Sequence, residues 1–313
     1  MSEWIVTVDE AGERLDKFLA AADRAGSRAK AVDALDRRKV FLNDREVTRA
    51  DAGLRVAPGD VVRLWIDRPG SAKRRATLGE RRDLPIVYED DHIVVLNKPA
   101  GLLAVPLPRE RRTDARSVFE DLKEYLARNR RRPFVVHRID RDTSGLVLFA
   151  KTSGDQEALK AQFKRRQPER IYQAIVYGHP SPAAGTWRDT LVWDTKALIQ
   201  KETSPRDPHG KPAVCRYLVV ESLAGASLIQ VALVTGRRNQ IRIQARLRGH
   251  TLVGEQRYIY GPDTLRPIAF PRQALHACRL AFRHPADGRA MAFDAPLPAD
   301  LSALVERLRR RET

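Results

Sequence analysis

The sequence predicts an α+β protein, in which a small unit of helices and strands precedes a larger domain built on a largely antiparallel mixed sheet flanked by helices. Three observations carry this expectation. Over residues 83–313, strand-like runs outnumber helical ones and often follow one another directly, which favours antiparallel pairing over strict strand–helix alternation. Residues 1–66 have a pattern of their own. Between these regions, residues 67–82 hold Pro69, Gly70 and six basic residues against two acidic ones, the composition of a basic linker.

In the first unit, Leu15, Phe18, Leu19 and Ala22 fall at helical spacing, and Ser27 stands where it can cap a second helix carrying Val32 and Leu35. Lys39 to Asn43 follows as a strand, Asn43-Asp44-Arg45 as a turn, and Gly59-Asp60 as a turn into a strand over Val61 to Ile66. The basic residues Arg28, Lys30, Arg37, Arg38 and Lys39 cluster on or just after the second helix. Beyond the linker, strands are predicted at 86–88, 93–97, 134–137, 146–150, 171–177, 214–220 and 227–234. Helices are predicted near 117–129, where Ser117 and Glu120 form a capping box, and near 154–166, 239–248 and 298–311. No internal repeat is visible.

Composition narrows the partner. There are 57 Lys plus Arg against 40 Asp plus Glu, a net charge of +17, with Arg in excess of Lys. A polyanion is favoured, and the planar guanidinium suits RNA, where it can grip phosphate and stack on bases. No apolar run reaches the roughly 18 residues of a membrane span, and no basic stretch followed by an apolar core opens the chain. A cytoplasmic, monomeric protein is expected. Cys215 and Cys278 stand apart from each other, and the seven His residues form no ligand spacing, so metal catalysis has no support and both cysteines read as buried small side chains.

The chemistry concentrates in a few segments. Asp140 lies in His137-Arg138-Ile139-Asp140-Arg141-Asp142-Thr143-Ser144-Gly145, a short polar loop between two apolar strands. Such a loop can hold a catalytic group, or its Asp can simply cap the turn; Asp142 is read as serving the turn. Together with Asn97-Lys98-Pro99-Ala100-Gly101, Arg170-Ile171-Tyr172-Gln173-Ala174, Thr235 to Arg242, Gly254 to Tyr258 and Leu275-His276-Ala277, this loop resembles the RluA-type family of RNA pseudouridine synthases. The first 66 residues are similar to a small RNA-binding domain known from a small-subunit ribosomal protein, in which the second helix and following turn face RNA.

This resemblance implies the pseudouridine synthase fold, an enzyme that isomerises uridine within structured RNA, and a reaction needing neither cofactor nor metal. It assigns the nucleophile to Asp140, an ion pair with that carboxylate to Arg242, a catalytic place against the target base to Tyr172, by stacking or by proton transfer, and an aliphatic contact with the base to Ile241. Arg138 would fill the gap left by an extruded uridine. The second-helix residues Arg28, Lys30, Arg37 and Arg38 would contact RNA. Two departures stand out: Asn239 where the family usually has His, and Glu255 where it has Asp. Asn cannot titrate, so a structural or RNA-contacting role is what remains for position 239. Ribosomal RNA is the favoured substrate and transfer RNA the alternative. A protein of the same scaffold that binds RNA or assists ribosome assembly without turnover is the competing expectation.

Overall fold

The computed structural model describes residues 2–36, 39–65, 84–106, 116–195, 197, 199–259, 262 and 266–310. The chain divides into two compact units, residues 1–83 and 84–313. The expected linker at 67–82, together with Arg37 and Arg38, lies outside the described residues.

In the first unit, β1 (Ser2–Ile5), β2 (Val40–Leu42), β3 (Arg45–Val47) and β4 (Val61–Leu64) form an antiparallel sheet in the order β1-β4-β2-β3. Asn43 and Asp44 take left-handed φ values of 50° and 62°, the conformation a tight β2–β3 hairpin requires. Two helices, α1 (Leu15–Leu19) and α2 (Arg28–Asp36), close a core of Leu15, Phe18, Leu19, Leu35, Val40 and Val62. The first helix is shorter than its apolar spacing implies. It ends before Ala22, which is exposed. The backbone N–H of Lys30 donates to Ser27 Oγ at 3.3 Å.

The second unit is organised by one large sheet. Its strands are β5 (Ile86–Glu89), β6 (Ile93–Lys98), β7 (Phe134–Val135), β8 (Ser144–Ala150), β9 (Glu169–Tyr177), β10 (Ala184–Asp194), β11 (Ile199–Glu202), β12 (Lys211–Leu223), β13 (Ala226–Leu233), β14 (Leu275–Arg283) and β15 (Ala290–Asp294). The order is β11-β10-β12-β13-β9-β14-β8-β6-β5, with β15 on β14 and β7 on β8. All named pairs are antiparallel except β14 with β8. Helices α3 (Val118–Ala127), α4 (Ser153–Lys164), α5 (Gln240–Leu247) and α6 (Ala299–Arg309) pack around it. The Ser117 hydroxyl donates to Glu120 and accepts the Glu120 N–H, so α3 begins at the predicted capping box.

One edge of β8 is shared. Its first residues, Ser144 and Gly145, pair with β14, whereas Phe149 and Ala150 pair with β7. The loop 136–143 therefore leaves the sheet where two strands part, which frees its backbone and side chains to face a cavity. Gly145 (φ +114°) makes the parallel contact possible, because a Cβ there would collide with the Ala277 backbone. Of the two cysteines, Cys215 is buried, but Cys278 is only half-buried. It sits at the register shift between Ala277 and Arg279, which takes it out of the ladder with β9.

Candidate active site

A cavity of about 240 Å³ opens beside the 136–143 loop and is lined by Asp140, Tyr172, Ile241, Arg242, Arg138 and Asn239 among others. The loop is held from several sides. Lys98 is fully buried and its Nζ donates to the carbonyls of Pro99 (2.7 Å), Leu102 (2.7 Å) and Arg141 (2.9 Å). Burial pulls its pKa down to about 7, against the nearby charges of Asp142 and Asp140. Arg272 donates to the Asp142 carbonyl at 3.1 Å while its Nε bonds Asp300 at 2.7 Å. Ser144 Oγ and His276 Nδ1 are 2.9 Å apart. Chain geometry here is thus fixed by bonds to main-chain atoms.

The backbone N–H of Thr143 donates to the Asp140 carbonyl at 3.2 Å, so the main chain closes the turn. The Asp140 side chain does not. Its Oδ2 accepts from Asn239 Nδ2 at 2.6 Å and from Arg242 Nη1 at 3.2 Å, while Oδ1 has no partner among the described residues. Asp142, read as serving the turn, instead accepts from the Arg141 guanidinium at 3.1 Å.

Arg242 pairs first with another acid. Its Nε and Nη2 donate to the two oxygens of Glu255 at 2.7 and 2.6 Å, and Asp140 takes the remaining nitrogen. Glu255 is wholly buried and also accepts from the backbone N–H groups of Arg257 (2.8 Å) and Tyr258 (3.1 Å). Burial works against both charges, yet their mutual hydrogen bonds and attraction prevail. The Glu255 pKa is lowered and that of Arg242 raised. The expected Asp140–Arg242 pair is therefore one arm of a triad whose stronger arm is Glu255.

Asn239 is not turned outward as a free RNA contact. It begins α5 with a left-handed φ of 54°, a conformation Asn tolerates better than most residues. Its Oδ1 accepts from the Tyr258 hydroxyl at 3.2 Å, and that hydroxyl accepts from Gln200 N at 2.9 Å. The turn preceding α5 is pinned by Gln240, whose Oε1 accepts from Thr235 Oγ1 (2.8 Å) and Arg237 N (2.9 Å). Ile241, on the first turn of α5, is buried in the core cluster that also contains Tyr172 and Ile139.

Tyr172 lies on β9 between Val231 and Ala277 and is almost buried. Burial raises its pKa to about 12, although Arg170 opposes this, so the phenol stays protonated at ordinary pH. Arg138 is exposed at the rim. Arg238, also at the rim, lies over the Trp193 ring at 4.1 Å. In the first unit, Arg28 is not free: its Nε and Nη2 donate to Asp16 at 3.0 and 2.9 Å. Lys30 is exposed.

Sequence reasoning left several of these residues without a role. Lys98, Tyr258 and Arg272 support the loop or Asn239, and Glu255 is Arg242's principal partner. Lys98 carried a signal, since a Lys closing the apolar run Ile93 to Leu96 has to find acceptors indoors. Glu255 stood out only as a departure from the family's Asp, and its pairing with Arg242 carried no signal, because the two lie on different elements.

Comparison with known proteins gives a consistent result. The family described as RNA pseudouridylate synthase matches residues 92–247. An uncharacterised RNA pseudouridine synthase, YlyB of Bacillus subtilis, is 36% identical over 96% of this chain and 96% of its own. The ribosomal large subunit pseudouridine synthase D of Zymomonas mobilis is 34% identical over 97% and 96%. The dual-specificity RNA pseudouridine synthase RluA of Escherichia coli is 38% identical over 68% and 93%. Among solved structures, human RNA pseudouridylate synthase domain containing 4 aligns with a TM-score of 0.57 at 22% identity, over 72% of this chain and 92% of that one, a likeness of fold.

Proposed function

This chain belongs to the RNA pseudouridine synthase family, and we propose that it converts uridines of ribosomal RNA to pseudouridine with Asp140 as the nucleophile. The observation that carries the assignment is the state of that carboxylate. Both protein donors bind Oδ2, Oδ1 is left unpartnered among the described residues, and Asp140 lines the cavity. A carboxylate held by one oxygen can present the other to a reacting carbon.

The isomerisation breaks the bond between nitrogen 1 and the ribose and forms one from carbon 5. The hydrogen on carbon 5 leaves as a proton, and nitrogen 1 gains one. Arg242 and Asn239 hold Asp140 in one orientation through these steps, and Glu255 fixes Arg242. Tyr172 supplies a ring face and a hydroxyl, whose pKa burial raises to about 12. Ile241 closes the opposite apolar wall. Arg138 at the rim takes the place of the extruded nucleotide. The relatives named for the ribosomal large subunit and the exposed cations of the first unit, Lys30 among them, support a ribosomal target and a cytoplasmic site of action.

Mapping pseudouridine across total RNA from cells with and without the gene tests the substrate. Sites lost from ribosomal RNA are the expected result. Loss confined to transfer RNA would move the substrate, and no loss anywhere would favour an RNA-binding protein without turnover.

A further inference from the structure

Beside the active-site cavity lies a second one of about 450 Å³, sharing with it Arg138, Tyr172, Leu233, Gly236 and Arg237. Its other walls come from the end of α4, the first residues of β9 and the turn after β13. Five cations line it: Arg138, Lys164, Arg166, Arg170 and Arg237. No carboxylate does. Elsewhere in this unit three guanidiniums withdrawn from water are matched, Arg242 to Glu255, Arg248 to Asp189 and Arg272 to Asp300. None of the five has an ion-pair partner among the described residues.

The helix dipole accounts for part of this, since cations are favoured where α4 ends, at Lys164 and Arg166. It does not account for Arg170 or Arg237. The Arg170 Nε is buried without a partner, and its guanidinium lies so close to Gly236 that a Cβ at 236 would strike it. Burial lowers the pKa of Arg170 and of Arg237, and Arg166 lowers that of Arg237 further. Two of these like charges, Arg170 and Arg237, are thus partly withdrawn from water beside three exposed ones, with no counter-ion among the described residues, and an entering anion relieves that cost. Another part of the wall is uncharged: His137 stacks on Phe163 at 4.9 Å, and burial pushes its pKa down to about 3.

We propose that this second cavity binds the phosphodiester of a nucleotide flanking the target uridine, gripping the strand while the base enters the neighbouring site. The inference rests on reading that site as one for a uridine within RNA.

A charge cycle tests it. Wild-type protein, R166M and R170M are bound to an RNA hairpin carrying a uridine that the wild type converts, with each phosphate flanking that uridine replaced in turn by an uncharged methylphosphonate. One replacement should weaken wild-type binding about tenfold, the worth of one charge-assisted hydrogen bond, and should cost R166M and R170M little. Each variant should also lower the slope of log affinity against log salt by about 0.7. Equal losses in wild type and variants overturn the proposal. Arg166 is exposed, so R166M keeps the test open if R170M does not fold. Inorganic phosphate titrated alone separates the sources: binding no tighter than about millimolar is expected, and micromolar binding without methylphosphonate sensitivity would indicate a free-anion site instead. The two failures are distinct. A wrong reading of the active site leaves the wild type without tritium release from RNA labelled at carbon 5 of uridine, whereas a wrong subsite leaves release intact and the methylphosphonate losses additive.

Discussion

Two carboxylates in this protein, Asp16 and Asp140, are each held by arginine in a different way. In the first unit, Asp16 sits between two arginines: Arg14 reaches both of its oxygens at 3.0 and 3.3 Å, and Arg28 adds two bonds to Oδ2. Every acceptor is used, and these bonds hold its pKa down at about 2. In the second unit the arrangement is inverted, with one arginine between two acids. Glu255 takes the bidentate face of Arg242, and Asp140 receives one bond from it and one from Asn239, both on Oδ2. A saturated carboxylate is a clip. A carboxylate anchored by one oxygen is held still and remains reactive.

Breaking the inverted triad should have the largest effect. R242M leaves Glu255 buried without its cation, which should cost about 3–5 kcal/mol in urea unfolding and slow single-turnover isomerisation by roughly 10²-fold or more as Asp140 loses its anchor. The companion variant E255Q sharpens the cause. The folded pKa of Glu255 lies below its ordinary value, so its stabilisation is present above that ordinary value and is lost as pH falls through the lowered one. As pH falls below the ordinary Glu range the wild type should lose this contribution and E255Q should not.

Removing the second anchor should cost less. N239A deletes one hydrogen bond to a charged group, and the turnover rate should fall by roughly tenfold, about 1.5 kcal/mol, with about 1 kcal/mol lost in folding stability because Ala takes the left-handed φ of 54° poorly. A null effect of N239A would mean that Arg242 alone orients the carboxylate. The clip in the first unit should matter less again. Its arginine side chains are 49% and 65% exposed, so solvent screens them and D16N should cost about 1 kcal/mol, with turnover on a short hairpin unchanged. The loss in wild type should appear only as pH falls below the ordinary Asp range toward 2, since the folded pKa is the lower one. Smallest of all, Y172F should leave the pH profile of turnover unchanged between about pH 6 and 9, because the phenol titrates near 12; an alkaline limb present in wild type and absent from Y172F would contradict this.

Much of this contrast was legible in the sequence where the information is local. Apolar runs located β6, β8, β9, β12 and β13, and the Ser117 capping box located α3. The polar loop at 137–145 and the Thr235–Arg242 turn contained the site's principal residues. What escaped was non-local. Strands β10, β11, β14 and β15 carry charged or polar residues within their runs, as in Thr186-Trp187-Arg188-Asp189 and Leu275-His276-Ala277, so they lack a clean apolar signature. Arg242 bonds Glu255 thirteen residues away across a loop, and Asn239 bonds Asp140 ninety-nine residues away. Only folding brings those together. The free oxygen of Asp140 likewise follows from where Asn239 and Arg242 arrive, which no motif states.

The central claim is that this free oxygen performs the chemistry. The most direct measurement compares wild type with D140N on RNA labelled with tritium at carbon 5 of uridine, recording single-turnover tritium release and, on the same RNA, the dissociation constant. An amide of the same shape keeps an oxygen for Arg242 and Asn239 but cannot act as the nucleophile. Binding should therefore change by less than about threefold, while release falls by roughly 10⁴-fold or more. Release from D140N at the wild-type rate would contradict the account.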